Sequence, residues 1–195
     1  YIENQDVLNN GDLVLIDAGC EYKNYAADIT RTFPVNGKFT QEQSAIYDVV
    51  LKAQLDAIAT IGPGIEYNKT NEATILAITQ GLVDLDILKG EVQELIDNEA
   101  HRQFYMHGAG HWLGMDVHDV GDYKVDGQWR VYEPGMVVTI EPGIYIAPGT
   151  PGVDERWHGI AIRIEDDIVV TKDGNENITA SVPKTRLEIE ALMAS

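Results

Sequence analysis

Three of the chain's five histidines fall within twelve positions, in the stretch His107-Gly-Ala-Gly-His111-Trp-Leu-Gly-Met-Asp-Val-His118-Asp119. Imidazole serves both as a metal ligand and as a proton carrier near neutral pH. The interleaved glycines let backbone come close to whatever those rings address. A His-x3-His spacing without helical periodicity is a weak metal signature by itself and fits a glycine-rich loop with surface histidines equally well. Four carboxylates change the balance. Asp17 follows the apolar run Leu13 to Ile16, Asp28 interrupts Tyr25 to Phe33, Glu141 closes Met136 to Ile140, and Glu165 ends Ile160 to Ile164. Singly, Asp17 could cap a turn and Asp28 could lie on a solvated face. A carboxylate set into an apolar strand is costly, however, unless it is paired or metal-bound. Together with one histidine, the four carboxylates form an oxygen-rich set for two divalent ions, charge-balanced when loaded and self-repelling otherwise. Dominance of oxygen ligands suits Mn2+ first, with Co2+, Fe2+ or Zn2+ as alternatives.

These groups need a scaffold, and the pattern supplies one. Asp12 to Ile16 reads as a buried strand that turns at Gly19, and Tyr25 to Phe33 as its neighbour, ending at Pro34, so that Asp17 and Asp28 face each other near the join. Thr40-Gln-Glu-Gln43 is a capping-box pattern, and Ile46, Val49, Val50, Ala53 and Ala57 follow at helical spacing until Gly62-Pro63-Gly64. Ile75, Ile78 and Leu82 mark a second helix, Glu91 to Asp97 a short third, and Thr185-x-x-Glu188 caps a last one. Phe104 to Met106 reads as a strand leading into the histidine stretch. Met136 to Ile140, Ile144 to Ile146, Ile160 to Glu165 and Ile168 to Val170 read as further strands, with a turn at Lys172 to Asn175. Period-2 alternation puts Arg163 and Glu165 on one face. The fold class is α+β. Cys20, Trp112 and Met115 are expected to pack, and Asp119 to serve the backbone of its own loop.

Composition narrows the function classes. A formal charge of −18, from 14 basic and 32 acidic residues, argues against nucleic acid or an anionic membrane as partner. No apolar run approaches the roughly 20 residues of a membrane span. One cysteine gives no internal disulfide and fits a reducing compartment, hence a cytoplasmic location. At 195 residues with 44% apolar content, one domain is expected.

In order, Asp17-Ala-Gly, Asp28-Ile-Thr-Arg-Thr, His107-Gly-x-Gly-His111-x-Leu-Gly-x-x-Val-His118-Asp, Ile140-Glu-Pro-Gly-Ile-Tyr145 and Ile162-Arg-Ile-Glu-Asp166 closely resemble the motifs of the pita-bread metallopeptidases, and within them most nearly the Xaa-Pro aminopeptidase (aminopeptidase P) branch. The resemblance implies a curved, mostly antiparallel sheet with helices on its outer face. It also implies a dinuclear aminopeptidase that cuts between an N-terminal residue and a following proline. Asp17 is then expected on one ion, Asp28 and Glu165 on both, and His111 with Glu141 on the second. A water shared by the ions is the expected nucleophile. Glu141 is the expected proton shuttle, His118 the donor to the tetrahedral intermediate and His107 a substrate-binding group. Arg163 and Tyr145 would orient a carboxylate ligand such as Asp17; the plainer reading of Arg163 is a structural ion pair. Prolidase, methionine aminopeptidase and a metal-free peptide-binding module on the same fold are the rival readings. Tyr1 to Asn4 resembles a stretch that in such relatives follows a further substrate-site histidine. Residues 1–195 are therefore expected to form the carboxy-terminal portion of a catalytic domain, lacking an amino-terminal domain and the start of the fold. The full-length protein is expected to be a homo-oligomer acting on peptides with proline in second position.

Overall fold

The computed structural model describes residues 4–194, so most of the expectation placed on Tyr1 to Asn4 lies outside the described residues. Strand β1 (Leu13–Ala18) is followed by a small hairpin, β2 (Glu21–Tyr22) and β3 (Tyr25–Ala26), and then by β4 (Ile29–Pro34), which returns antiparallel to β1. Two long helices, α1 (Gln41–Ala59) and α2 (Asn68–Asp84), and a short one, α3 (Val92–Asp97), come next. Past a 3-10 turn at Ala100–Gln103 lie a minor hairpin, β5 (Lys124–Val125) and β6 (Gln128–Trp129), and the strands β7 (Val137–Ile140), β8 (Gly143–Tyr145), β9 (Ala161–Arg163), β10 (Asp166–Val170) and β11 (Asn175–Asn177). Helix α4 (Arg186–Met193) ends the described chain. Every pairing is antiparallel: β1 with β4, β8 with β9, and β7 and β11 on either side of β10.

The capping boxes form as the sequence indicates. Thr40 Oγ1 accepts from the Gln43 N–H while the Gln43 side chain accepts from the Thr40 N–H, and Thr185 with Glu188 repeats the arrangement on α4. Helix α1 is the central support. Its Ile46, Tyr47, Val50 and Ala53 pack with Ile78 and Leu82 of α2 and with Ile144, Ile162 and Ile164 from the β8–β9 side. One turn further on, Ala57 joins a second cluster with Trp112, Val138, Ile140, Ile168 and Val170. The isoleucines that flank Glu141 and Glu165 are thus seated on the helix layer.

Several local readings are corrected. Tyr25 to Phe33 is not one strand: it breaks at Ala27 and Asp28, where the Ala27 N–H donates to the Cys20 carbonyl at 2.9 Å. Phe104 to Met106 forms no strand; the Phe104 carbonyl makes one backbone bond, to the Tyr145 N–H at 2.9 Å, and the buried aromatic rings do the rest. Ile160 to Glu165 stops as a strand at Arg163, because Asp166 begins pairing with Ile140 in a different sheet. Strand β1 is half-exposed rather than buried, Ile16 standing at 47% exposure, since β4 is its one strand partner among the described residues. Cys20 is exposed and Met115 is 66% exposed, so neither packs.

The break at Ala27 depends on Gly19, where a Cβ would stand 1.6 Å from the Ala27 carbonyl oxygen. Backbone cannot retreat as a flexible side chain would, so Gly19→Ala should cost about 3 kcal/mol. Urea unfolding of chelator-treated protein measures this, and a loss near zero would show that the contact at Ala27 does not constrain the segment leading to Asp28.

Candidate metal centre

Asp28, His111 and Glu165 come together from three separate parts of the chain, and their ligand atoms all lie within 4.8 Å of one another. Register explains the convergence. Asp17 on β1 stands opposite Thr30, and Asp28 lies two residues before Thr30, at the break that precedes β4. Glu165 arrives at the junction of β9 and β10, where its N–H donates to the Thr30 carbonyl at 3.1 Å and its Oε2 accepts from Thr30 Oγ1 at 2.6 Å. His111 enters on a loop laid against β7: its N–H donates to Thr139 Oγ1 at 3.2 Å and its carbonyl accepts from the Thr139 N–H at 2.9 Å. That approach requires Gly110, because a Cβ there would stand 1.8 Å from the Thr139 carbonyl oxygen.

The imidazole is oriented for ligation. His111 Nδ1 lies 3.0 Å from the Trp112 carbonyl, which can only accept, so Nδ1 carries the proton. Nε2 then faces Asp28 Oδ2 and Glu141 Oε1, each 3.6 Å away. Glu141 is thus the fourth member of the cluster. Asp17, at the exposed rim, touches Asp28 and bonds Arg163 Nη2 at 2.5 Å.

Arg163 also donates to Tyr145 Oη at 3.1 Å and to Thr30 Oγ1 at 3.3 Å, so it and Glu165 meet at one hydroxyl. Tyr145 Oη is 2.8 Å from His107 Nε2. Tyr145 therefore reaches Asp17 only through Arg163. His118 is exposed, with its ring edge-on to that of His111 at a centroid distance of 4.2 Å. Trp112 is buried among Tyr67, Tyr123 and Tyr132, and the Asp119 N–H donates to the Trp112 carbonyl.

Electrostatics show what the cluster lacks. Burial, reinforced by the charges of Asp28 and Asp17 against the pull of His111 and Arg163, pushes Glu141 up to about 7. Burial and the charge of Glu141 push Glu165 up to about 8 despite the Thr30 bond. Burial opposes protonation of His111, yet Asp28, the Trp112 carbonyl, Glu141 and Glu165 raise it to about 9. The His111 imidazole beside it holds Asp28 below the usual carboxylate range, and burial with the neighbouring Asp28 raises Asp17. Glu165 Oε1 is buried without a hydrogen-bond partner. An orphan carboxylate oxygen among repelling carboxylates beside an oriented imidazole is the donor set of a divalent cation, and the residues fit one.

Sequence reasoning missed the supporting residues. Thr30, Arg31, Thr139, Asp166 and Asp167 are all buried beside the ligands. The β-forming run Ile29-Thr-Arg-Thr32 directly after Asp28 was the available signal for Thr30. For Asp166 and Asp167 the signal was acidic residues entering the apolar run Ile168 to Val170.

The raised groups share one sign. For a raised carboxylate or histidine the folded chain holds protons that the unfolded chain has released, so stability falls as pH rises. In chelator, stability should therefore decline from near pH 5, above the ordinary glutamate value of 4.5, toward pH 9, the upper bound set by His111. Added Mn2+ must displace those protons, so the gain in Tm on loading should be small near pH 5 and grow toward pH 8. Melting curves with chelator and with Mn2+ across this range test the site. A gain independent of pH would remove these side chains from the metal.

A family model described as Metallopeptidase family M24 matches residues 1–172. The Xaa-Pro aminopeptidase of Escherichia coli is 58% identical over 195 residues, covering 100% of this chain and 44% of that protein. The Xaa-Pro aminopeptidase of Haemophilus influenzae is 58% identical over 193 residues, covering 99% and 44%. The solved aminopeptidase PepP of Pseudomonas aeruginosa superposes with a TM-score of 0.98 at 60% identity, covering 100% of this chain and 44% of that one. The chain thus spans less than half the length of these relatives, and its fold is the pita-bread arrangement that they share. With the five expected motifs, this sheet and this cluster of ligands, the chain belongs to metallopeptidase family M24.

Proposed function

We propose that this chain carries the catalytic residues of a dinuclear metal-dependent aminopeptidase that hydrolyses the bond between an N-terminal residue and a following proline. The observation that carries the reading is the approach of Asp28, His111 and Glu165 to within 4.8 Å, with Glu141 against His111 and Asp17 against Asp28. The identity to proteins named Xaa-Pro aminopeptidase supports the substrate class. The reading extends to a catalytic unit larger than these 195 residues, supported by the 44% span and the half-exposed β1. An assembly of identical chains and, with the single Cys20, a cytoplasmic location complete the reading.

Asp17 would hold one ion, Asp28 and Glu165 both, and His111 with Glu141 the second, Mn2+ being the preferred metal for this oxygen-rich set. Bound ions would supply Lewis-acid polarisation of the scissile carbonyl and a water acidified for attack. Glu141 would accept a proton from the attacking water on its carboxylate and pass it to the departing proline nitrogen. His118, exposed at the edge of the His111 ring, donates to the oxygen that becomes negative. His107, held by Tyr145, offers its ring to the proline side of the substrate. Arg163 fixes the Asp17 carboxylate, and Tyr145 fixes Arg163. Proline is a distinctive mark because its nitrogen bears no hydrogen and its ring fixes φ.

Xaa-Pro-Xaa tripeptides assayed beside Xaa-Pro dipeptides and Xaa-Ala-Xaa controls with Mn2+ test this. Tripeptides with proline should be cleaved fastest, and dipeptides alone being cleaved would indicate a prolidase. Glu141→Gln should lower kcat by about 10² to 10⁴. His118→Ala should keep its metals and lose about 10² in kcat, whereas His107→Ala should act mainly on KM. Alanine peptides turned over as fast as proline peptides would contradict the proposal.

A further inference from the structure

Glu165, Asp166 and Asp167 are consecutive carboxylates, and all three are buried, at 1%, 0% and 1% exposure. Alternation sends them different ways. Glu165 joins the ligand cluster, and Asp167 accepts the Asp28 N–H at 3.2 Å. Asp166 enters the protein and accepts hydrogen bonds from Arg31 Nη2 at 2.7 Å, Lys184 Nζ at 2.7 Å, Thr179 Oγ1 at 2.9 Å, Asn177 Nδ2 at 2.9 Å and Gln54 Nε2 at 3.1 Å. A buried ion cluster is a poor way to stabilise a core, since well-packed apolar residues often serve as well. The role of this one is visible in what it fixes.

Arg31 spends every donor it has. Nη1 bonds the carbonyls of Glu165 at 2.6 Å and Thr30 at 2.9 Å; Nε and Nη2 bond the carbonyls of Pro183 at 2.9 Å and Val182 at 3.0 Å. Thr30 in turn holds Glu165 by backbone and by carboxylate. A continuous path of hydrogen bonds therefore runs from Lys184 through Asp166 and Arg31 to the backbone of Glu165. Tyr47 Oη donates to the Lys184 carbonyl at 2.8 Å and seats that end of the path on α1. Residues 182–184 lie beyond residue 172, where the family match ends.

The geometry points to Asp166 and Lys184 as positioning residues of the metal centre, through which segment 182–184 sets the depth and orientation of Glu165. This rests on the metal reading above. Side chains that orient ligands typically change metal affinity by about ten- to a hundredfold when removed.

The test is Mn2+ titration calorimetry of the parent, Lys184→Met, Lys184→Arg and Ile189→Ala proteins, with melting curves in chelator. Ile189 is buried on the same carboxy-terminal segment, without a bond to Asp166. Lys184→Met should raise the Kd for Mn2+ about ten- to a hundredfold, with Lys184→Arg recovering most of it. Ile189→Ala should lower Tm and leave Kd in place. A Kd unchanged in Lys184→Met, or raised as much in Ile189→Ala, overturns the inference alone; absence of Mn2+ binding by the parent overturns the metal reading and the inference with it. If Lys184→Met does not fold, Gln54→Met, which removes one donor to Asp166 at nearly constant volume, is titrated instead. It must raise Kd in the same direction.

Discussion

Carboxylates crowded into a half-buried pocket repel one another, and the protein's own cations do not cancel that repulsion. Two like charges 4 Å apart cost about 4 kcal/mol at an effective dielectric near 20. Against Asp17, Asp28, Glu141 and Glu165 the chain sets Arg163, bonded to Asp17 at the rim, and His111. Glu141 and Glu165 are left to hold protons well above the ordinary carboxylate range. A divalent cation is the species that resolves this arrangement, and the scaffold around the pocket is built to keep the carboxylates together in spite of it.

That scaffold works by ending strands where ligands are needed. Glu141 and Glu165 follow isoleucines anchored on the helix layer, so each carboxylate starts from a rigid stem. Asp28 emerges from the break before β4, and His111 from a glycine-bearing loop pressed onto Thr139. Behind them, Thr30, Arg31 and Asp166 link β1, β4, β10 and the carboxy-terminal segment into one hydrogen-bonded block. Helix α1 contributes Gln54 and Tyr47 to the same block. Ligand placement and core packing are therefore one problem in this fold.

Much of this was legible in the sequence. Helix limits followed from Thr40 and Thr185 because capping is a local interaction. The ligand-bearing residues stood out because charged groups at apolar strand ends are exceptional. What was lost required long-range information. The break at Ala27 is created by Gly19 meeting Ala27 across the hairpin, and the end of β9 by Asp166 choosing Ile140 as partner. Phe104 and Tyr105 have strand-like composition, yet they pack as side chains beside β8 without a ladder. The role of Asp166 was not legible, because its partner Arg31 lies more than a hundred residues away in the chain.

Metal content per chain is the most direct measurement, determined after dialysis of parent, Glu165→Ala and Asp17→Ala proteins against Mn2+ followed by removal of free ion. Glu165 is the buried carboxylate expected to contact both ions, and Asp17 stands at the rim beside Asp28. About two ions are expected in the parent, about one in Asp17→Ala, and close to none in Glu165→Ala. Two ions retained in Glu165→Ala would contradict the site.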